Sequence, residues 1–327
     1  MSSTSKRAIN LILDWDSTLT KKDTLHLVAK IGYGKHGLPL NQSTPYPPPA
    51  IPWDAVGAKY MDKYNAHNEQ YRPIAECRRS LLEERSWLAS LRPVEIFGAR
   101  CAEETEVFRG VLSKDIQHAA TCAVKDGEVC LRPGWAELAN YALDKGFFGI
   151  LSVNWSATFI RHVMLAALTQ NENQDLRGRL SGFARDGLRI DANEIQGIDQ
   201  AGGSSGRLSS TDDSGDIRTS ADKLQRMPPR CRMLNDGKRP DLDFSGPLVV
   251  YCGDSDTDLE CLLAADVGIC LQDNHMSSGQ SALASTLKRL QIDSRPIEDL
   301  QASGLLGARL WTARDFHQIH QALKRIG

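Results

Sequence analysis

The chain has 327 residues, of which 41% are hydrophobic and 24% charged, with a formal net charge of -2. That length carries one large domain or two smaller ones, and the charge excludes a global basic field that would gather nucleic acid or an anionic membrane. The apolar stretches are too short for a membrane span, the polar start Met1 to Arg7 shows no export signal, and eight cysteines without a C-x-x-C pair point to a reducing compartment: the cytoplasm, with the nucleus not excluded.

Ile9 to Leu13 carry one polar residue, Asn10, and read as a strand buried on both faces. The strand runs into Asp14-Trp15-Asp16-Ser17-Thr18. A helix is predicted from Asp23 to Ile31. A loop then runs to Ala58 through an extended Pro45-Tyr46-Pro47-Pro48-Pro49 stretch. From Lys59 to Val124 apolar residues such as Leu81, Trp87, Leu88 and Leu91 recur at helical spacing.

Beyond residue 125 strands and helices alternate. Arg132-Pro133-Gly134-Trp135 opens a helix through Leu143. Phe147 to Leu151 form a second buried strand ending in Ser152-Val153-Asn154, and a helix follows from Ser156 to Leu168. Leu188 to Ile190 suggest a third strand, Leu248 to Cys252 a fourth and, after a helix, Val267 to Leu271 a fifth. Ala313 to Ile326 read as the last helix. Residues 200 to 220 are dominated by Gly, Ser and Asp and are expected to be disordered; residues 226 to 246 read as a second mobile segment. The alternation implies a doubly wound parallel sheet of the α/β class. Residues 1–20 and 126–327 would form this core, with an α-helical cap, residues 21–125, inserted after the first strand.

Such a sheet binds its ligands at the carboxyl ends of its strands. Asp14 and Asp16, Ser152, and Asp254 with Asp258 all stand at such ends. Lys223 follows an apparent helix start, Ser220-Ala221-Asp222; Lys238, in a loop of Asn, Asp, Gly and Pro, competes with it. The chain resembles haloacid dehalogenase (HAD) superfamily phosphohydrolases. Their motifs match D-x-D-x-[TV] at Asp14 to Thr18, a strand ending in Ser at Ile150-Leu151-Ser152, a Lys, and G-D-x-x-x-D at Gly253 to Asp258. Pro133-Gly134 and Ala264 to Ile269 also fit. Asp14-x-Asp16-Ser17-Thr18 and the cap position are similar to the phosphoserine phosphatase branch, and the whole chain looks closest to uncharacterised fungal members.

The resemblance implies a Rossmannoid core and a phosphatase of a small phosphorylated metabolite, with no protein partner named. Asp14 would be the nucleophile and Asp16 the general acid, and Lys223 would neutralise charge. Magnesium would be held by Asp14, the Asp16 carbonyl and Asp254, with Asp258 acting through water. Thr18, Ser152, Asn154 and Asp23 would meet the substrate. Phosphoryl transfer independently requires an aligned nucleophile, charge neutralisation and a protonated leaving oxygen. Asp23 replaces the usual Glu of phosphoserine phosphatases and follows Lys21-Lys22, so another substrate is expected. Tyr60, Arg72 and Arg78 are further candidate substrate contacts from the cap. A phosphotransferase or mutase with the same intermediate, or a non-enzymatic scaffold on this fold, is the alternative.

Overall fold

The computed structural model describes residues 7–42, 45–210, 215–232, 246–301 and 310–326. In chain order these hold β1 (Ile9–Leu13), α1 (Leu25–Lys35), α2 (Trp53–Gln70), α3 (Leu81–Ser90), α4 (Arg92–Glu104), α5 (Ser113–Lys125), α6 (Trp135–Lys145) and β2 (Gly146–Leu151). They continue with α7 (Ala157–Thr169), α8 (Gln174–Asp186), β3 (Arg189–Asp191), β4 (Asn193–Ile195), β5 (Leu208–Ser210) and α9 (Ser220–Arg226). The last are β6 (Leu248–Gly253), α10 (Leu259–Ala264), β7 (Val267–Leu271), α11 (Ser278–Arg289), β8 (Ser294–Pro296), β9 (Leu310–Ala313) and α12 (Phe316–Ile326).

Seven strands form one sheet in the order β3-β2-β1-β6-β7-β9-β8, and every pairing is parallel. The expected doubly wound α/β fold is therefore present. β1 lies centrally, with Leu13 opposite Ile150 on β2 and Cys252 on β6. Its residues alternate between two cores. Ile9, Leu11 and Leu13 join the larger one with Phe148, Ile150 and Phe159. Ile12 joins the other with Val249, Tyr251 and Leu262. Each fully buried apolar side chain contributes about 1.5–3 kcal/mol, so the strand that carries the first two acids is held from both sides.

Helices α2 and α4 pack on each other, and α3 packs on α9. Three ion pairs join this helical layer to the sheet's own elements: Glu84–Arg289, Arg85–Glu260 and Arg92–Asp222. α5 packs against α7 and α1, sharing the larger core with β1. Ser80 and Glu83 form a capping box that starts α3.

Two strands and a hairpin go beyond the sequence reading. β8 and β9 extend the sheet at one edge, and β4 pairs antiparallel with β5. That hairpin and the helix start at Ser220 correct the expectation of disorder for the described residues 200–210 and 215–220; residues 211–214 lie outside the described residues. Leu208 and Ile217 are buried, and the Gly203 Cα lies so close to the Gly110 carbonyl that a Cβ at Gly203 would sit 2.5 Å from its oxygen. Gly203 also has φ +75°, where glycine is favoured. A Ser- and Gly-rich composition argued against a core of its own, but here the segment borrows one from its neighbours. Among the described residues no helix is long and apolar enough to cross a membrane. All eight cysteines are free thiols.

Gly268 on β7 backs directly onto α10, and a Cβ there would sit 2.1 Å from the Leu262 carbonyl oxygen. Gly268→Ala is expected to lower stability by about 1–3 kcal/mol, seen as a lower urea midpoint at unchanged slope. An unaltered midpoint would contradict this packing.

Candidate active site

The carboxyl ends of β1 and β6 deliver the acids. Asp14 follows β1, its amide donates to the Cys252 carbonyl at 2.9 Å, and its side chain is buried. Asp254 follows β6. One carboxylate oxygen from each of Asp14, Asp254 and Asp258 lies within 4.8 Å of the others. Lys223, fully buried on α9, inserts between two of them, with Nζ 2.6 Å from Asp14 Oδ1 and 2.7 Å from Asp258 Oδ1. Thr219 and Asp222 form the capping box that starts α9, which fixes the helix and with it the lysine. Lys238, the competing lysine, lies outside the described residues.

Asp258 is saturated. Its Oδ1 also accepts from the Tyr251 hydroxyl at 2.6 Å. Its Oδ2 accepts from the Asp254 and Ser255 amides and the Ser255 hydroxyl. With two donors on one oxygen and three on the other, its lone pairs are used. Asp258 is thus built to hold Lys223 and the β6 turn. Asp14 and Asp254 differ. Asp254 Oδ1 accepts from the Thr18 hydroxyl at 3.1 Å, and Asp14 Oδ1 accepts from Lys223. The other oxygen of each has no hydrogen-bond partner among the described residues. Two open carboxylate oxygens on buried side chains suit a hard divalent ion that keeps several waters.

The electrostatics point the same way. Burial and the Asp258 charge push Asp14 well above the usual carboxylate range, against the pull of Lys223. Burial and Asp258 push Asp254 up to about 7. Burial opposes the Lys223 charge, but Asp14 and Asp258 outweigh it and hold the ammonium above its ordinary value. Carboxyls raised in this way hold protons that a bound cation would displace.

Asp16 stands apart from this cluster. Thr24 donates to its Oδ1 from the amide at 2.7 Å and the hydroxyl at 2.6 Å, and Asn154 Nδ2 donates to its Oδ2 at 2.9 Å. Burial and the nearby Asp23 push it up to about 6. Its carboxylate is therefore not one of the grouped metal-type ligands, and what Asp16 could offer a metal reduces to its backbone carbonyl.

The other candidates separate. Thr18, expected at the substrate, spends its hydroxyl on Asp254. Asn154 holds Asp16 and accepts from the Ser156 amide. Ser152 is buried at the end of β2 and accepts from the Asn154 amide at 3.0 Å, with its own proton given to none of the described residues. Asp23 is exposed and caps the Leu25 amide, close enough to act on Asp16. Of the cap residues, Tyr60 donates to Glu95. Arg72 is engaged with the Glu69 and Tyr71 carbonyls. Arg78 is buried in an ion pair with Glu84 and lies 4.7 Å over the Trp87 ring.

Sequence reasoning missed Tyr251, Thr24 and Arg132. Arg132 is buried, donates to the Ser17 and Thr18 carbonyls and forks onto Asp273 at 2.5 and 2.8 Å. It pins the turn in which Ser17 adopts φ +58°, a conformation uncommon for a non-glycine residue. The only available signal was its place just before Pro133-Gly134. Tyr251→Phe leaves the strand intact but removes a hydrogen bond to a buried charge. It is expected to cost about 1.5–3 kcal/mol, checked by chemical denaturation. A cost near zero would show that Asp258 does not need this donor.

No protein-family model matches the chain. A CTO1 family protein of Schizosaccharomyces pombe is 27% identical over 269 residues, which covers 80% of this chain and 81% of that protein. A substrate-bound phosphoserine phosphatase is similar at a TM-score of 0.45 and 11% identity, over 98% of this chain and 99% of the other. A phosphoserine phosphohydrolase-like protein of Francisella tularensis is similar at a TM-score of 0.44 and 14% identity, over 96% and 98%. In the order of its motifs, three of them at strand ends and the lysine on α9, this chain resembles the HAD superfamily hydrolases, phosphoserine phosphatases among them.

Proposed function

We propose that the chain is a magnesium-dependent phosphatase that hydrolyses a small phosphomonoester through an aspartyl-phosphate on Asp14. The observation that carries this reading is the buried cluster of Asp14, Asp254 and Asp258 around Lys223, with a separately held acid, Asp16, pushed up to about 6. Asp14, Asp254 and the Asp16 carbonyl would hold the ion, which neutralises phosphoryl charge and aligns the group.

The chain's own residues then do the following. An Asp14 oxygen bonds to phosphorus as the ester P–O bond breaks, and Asp16 gives its proton to the departing oxygen. Water attacks the acyl phosphate, the Asp14–phosphorus bond breaks, and Asp16 takes the proton back. Lys223 balances charge shared by Asp14 and the phosphoryl oxygens, and Ser152 donates to one of those oxygens. Asn154 and Thr24 keep the Asp16 carboxyl in place. A group titrating near 6 is suited to both directions of transfer near neutrality. The eight free thiols favour a reducing setting, so we place the enzyme in the cytoplasm.

Asp14→Asn is expected to lower turnover of 4-nitrophenyl phosphate by more than about 10³-fold and to abolish an acid-stable phosphoenzyme that hydroxylamine discharges. Turnover at the wild-type level would end the covalent mechanism. Asp16→Asn tests the acid. Methyl phosphate, with a poor leaving group, should lose about 10²–10⁴-fold in its phosphorylation step, and 4-nitrophenyl phosphate less than about tenfold. In the wild type the methyl phosphate rate should fall as pH rises through about 6, where Asp16 loses its proton. Equal losses for both esters would remove Asp16 from the acid role.

A further inference from the structure

A cavity of about 240 Å³ lies between α2, α4 and the loop after β2. Its walls include Trp53, Val56, Val153 and Trp155. The two indoles meet edge to face with centroids 5.9 Å apart, which gives a rigid apolar slot. Val153 and Trp155 flank Asn154, the residue that donates to Asp16. Leu25, also on the wall, follows Thr24, the other Asp16 donor. The slot therefore begins one residue away from the groups that hold Asp16.

Its polar end is formed by Tyr60, Glu95 and Arg218. The Tyr60 hydroxyl donates to Glu95 Oε1 at 2.8 Å. Arg218 is only 5% exposed. Its Nη2 donates to Leu208 O and Asp216 Oδ2, but its buried Nε has no hydrogen-bond partner among the described residues. A buried donor left open is costly, and a bound acceptor would satisfy it. Arg218 is already paired with Asp216 at 3.2 Å, which disfavours a further anion there.

From this we infer that the cavity is the leaving-group subsite and takes a flat, ring-sized alcohol bearing an uncharged acceptor, such as a carboxamide, for Arg218 Nε. The inference rests on the phosphatase reading and names its substrate class. An apolar cavity of about 150 Å³ accepts benzene, so this one has room for a ring and one substituent. A serine-sized alcohol would leave the indole walls unfilled. Apolar walls with a few placed polar groups are the usual make-up of small-molecule sites.

The test separates binding from hydrolysis. 4-(Hydroxymethyl)benzamide and benzyl alcohol are titrated without magnesium, followed by tryptophan fluorescence. The amide should bind the wild type saturably and at least about tenfold more tightly than benzyl alcohol. Gly57, on the cavity wall, has no atom within 4 Å of a built Cβ. Gly57→Leu therefore fills the slot without a backbone clash and should weaken amide binding about tenfold or more. Arg218→Lys should erase the difference between the two alcohols. In turnover, the phosphate ester of the amide should exceed methyl phosphate in kcat/KM by about 10²-fold or more, and Gly57→Leu should shrink that ratio. No saturable binding to the wild type, or equal binding by Gly57→Leu, overturns the inference. Binding that Gly57→Leu weakens, with neither ester hydrolysed in magnesium, keeps the alcohol site and overturns the phosphatase reading alone.

Discussion

The buried ammonium of Lys223 between Asp14 and Asp258 is the interaction on which the site depends. Carboxylates gathered away from water repel one another and lose solvation. A fold tolerates them only if a cation stands among them. Lys223 answers part of that charge and is pinned by a capped helix. Asp258 repeats the logic from the other side, since every donor it accepts from belongs to the β6 strand, its turn or Lys223. What is left open is one oxygen each of Asp14 and Asp254, which none of the described residues satisfies.

Around that centre the fold supplies rigidity. β1 is paired on both sides and buried on both faces, so Asp14 leaves it in a fixed direction. Arg132 ties the following turn to Asp273 beyond β7. The turn returns the Asp16 carboxyl toward Thr24 and Asn154, away from the three-acid group. Two acids only two positions apart therefore receive different surroundings. One is placed among charges, the other among neutral donors, and such a separation lets neighbouring carboxyls take different chemical roles.

Much of this was legible in the sequence, because the acids announce themselves through local spacing at the ends of apolar runs. Asp14 and Asp16 follow β1, and Asp254 and Asp258 follow β6. The partners that hold them were not legible. Tyr251 reads as one more core residue of a strand, and Arg132 as a charge before a helix. Their roles come from contacts that no local pattern encodes. Thr18 and Asn154 were visible, but their hydroxyl and amide turn toward Asp254 and Asp16, and only the folded chain shows that. At the sheet edge, Ser294-Arg295-Pro296 is short, exposed and contains a proline, which is acceptable on an edge strand and gives no periodic signal. The β4–β5 hairpin was hidden by composition. Its order comes from neighbouring segments.

The central claim is that the carboxyl cluster around Lys223 is completed by a divalent ion, which displaces the protons that burial leaves on it. Calorimetric titration of magnesium at pH 6 and pH 8, in buffers of different ionisation enthalpy, tests it most directly. The account predicts saturable binding that tightens with pH and releases protons, and that Asp254→Asn weakens. Absence of magnesium binding at both pH values, or binding that Asp254→Asn leaves unchanged, would contradict it.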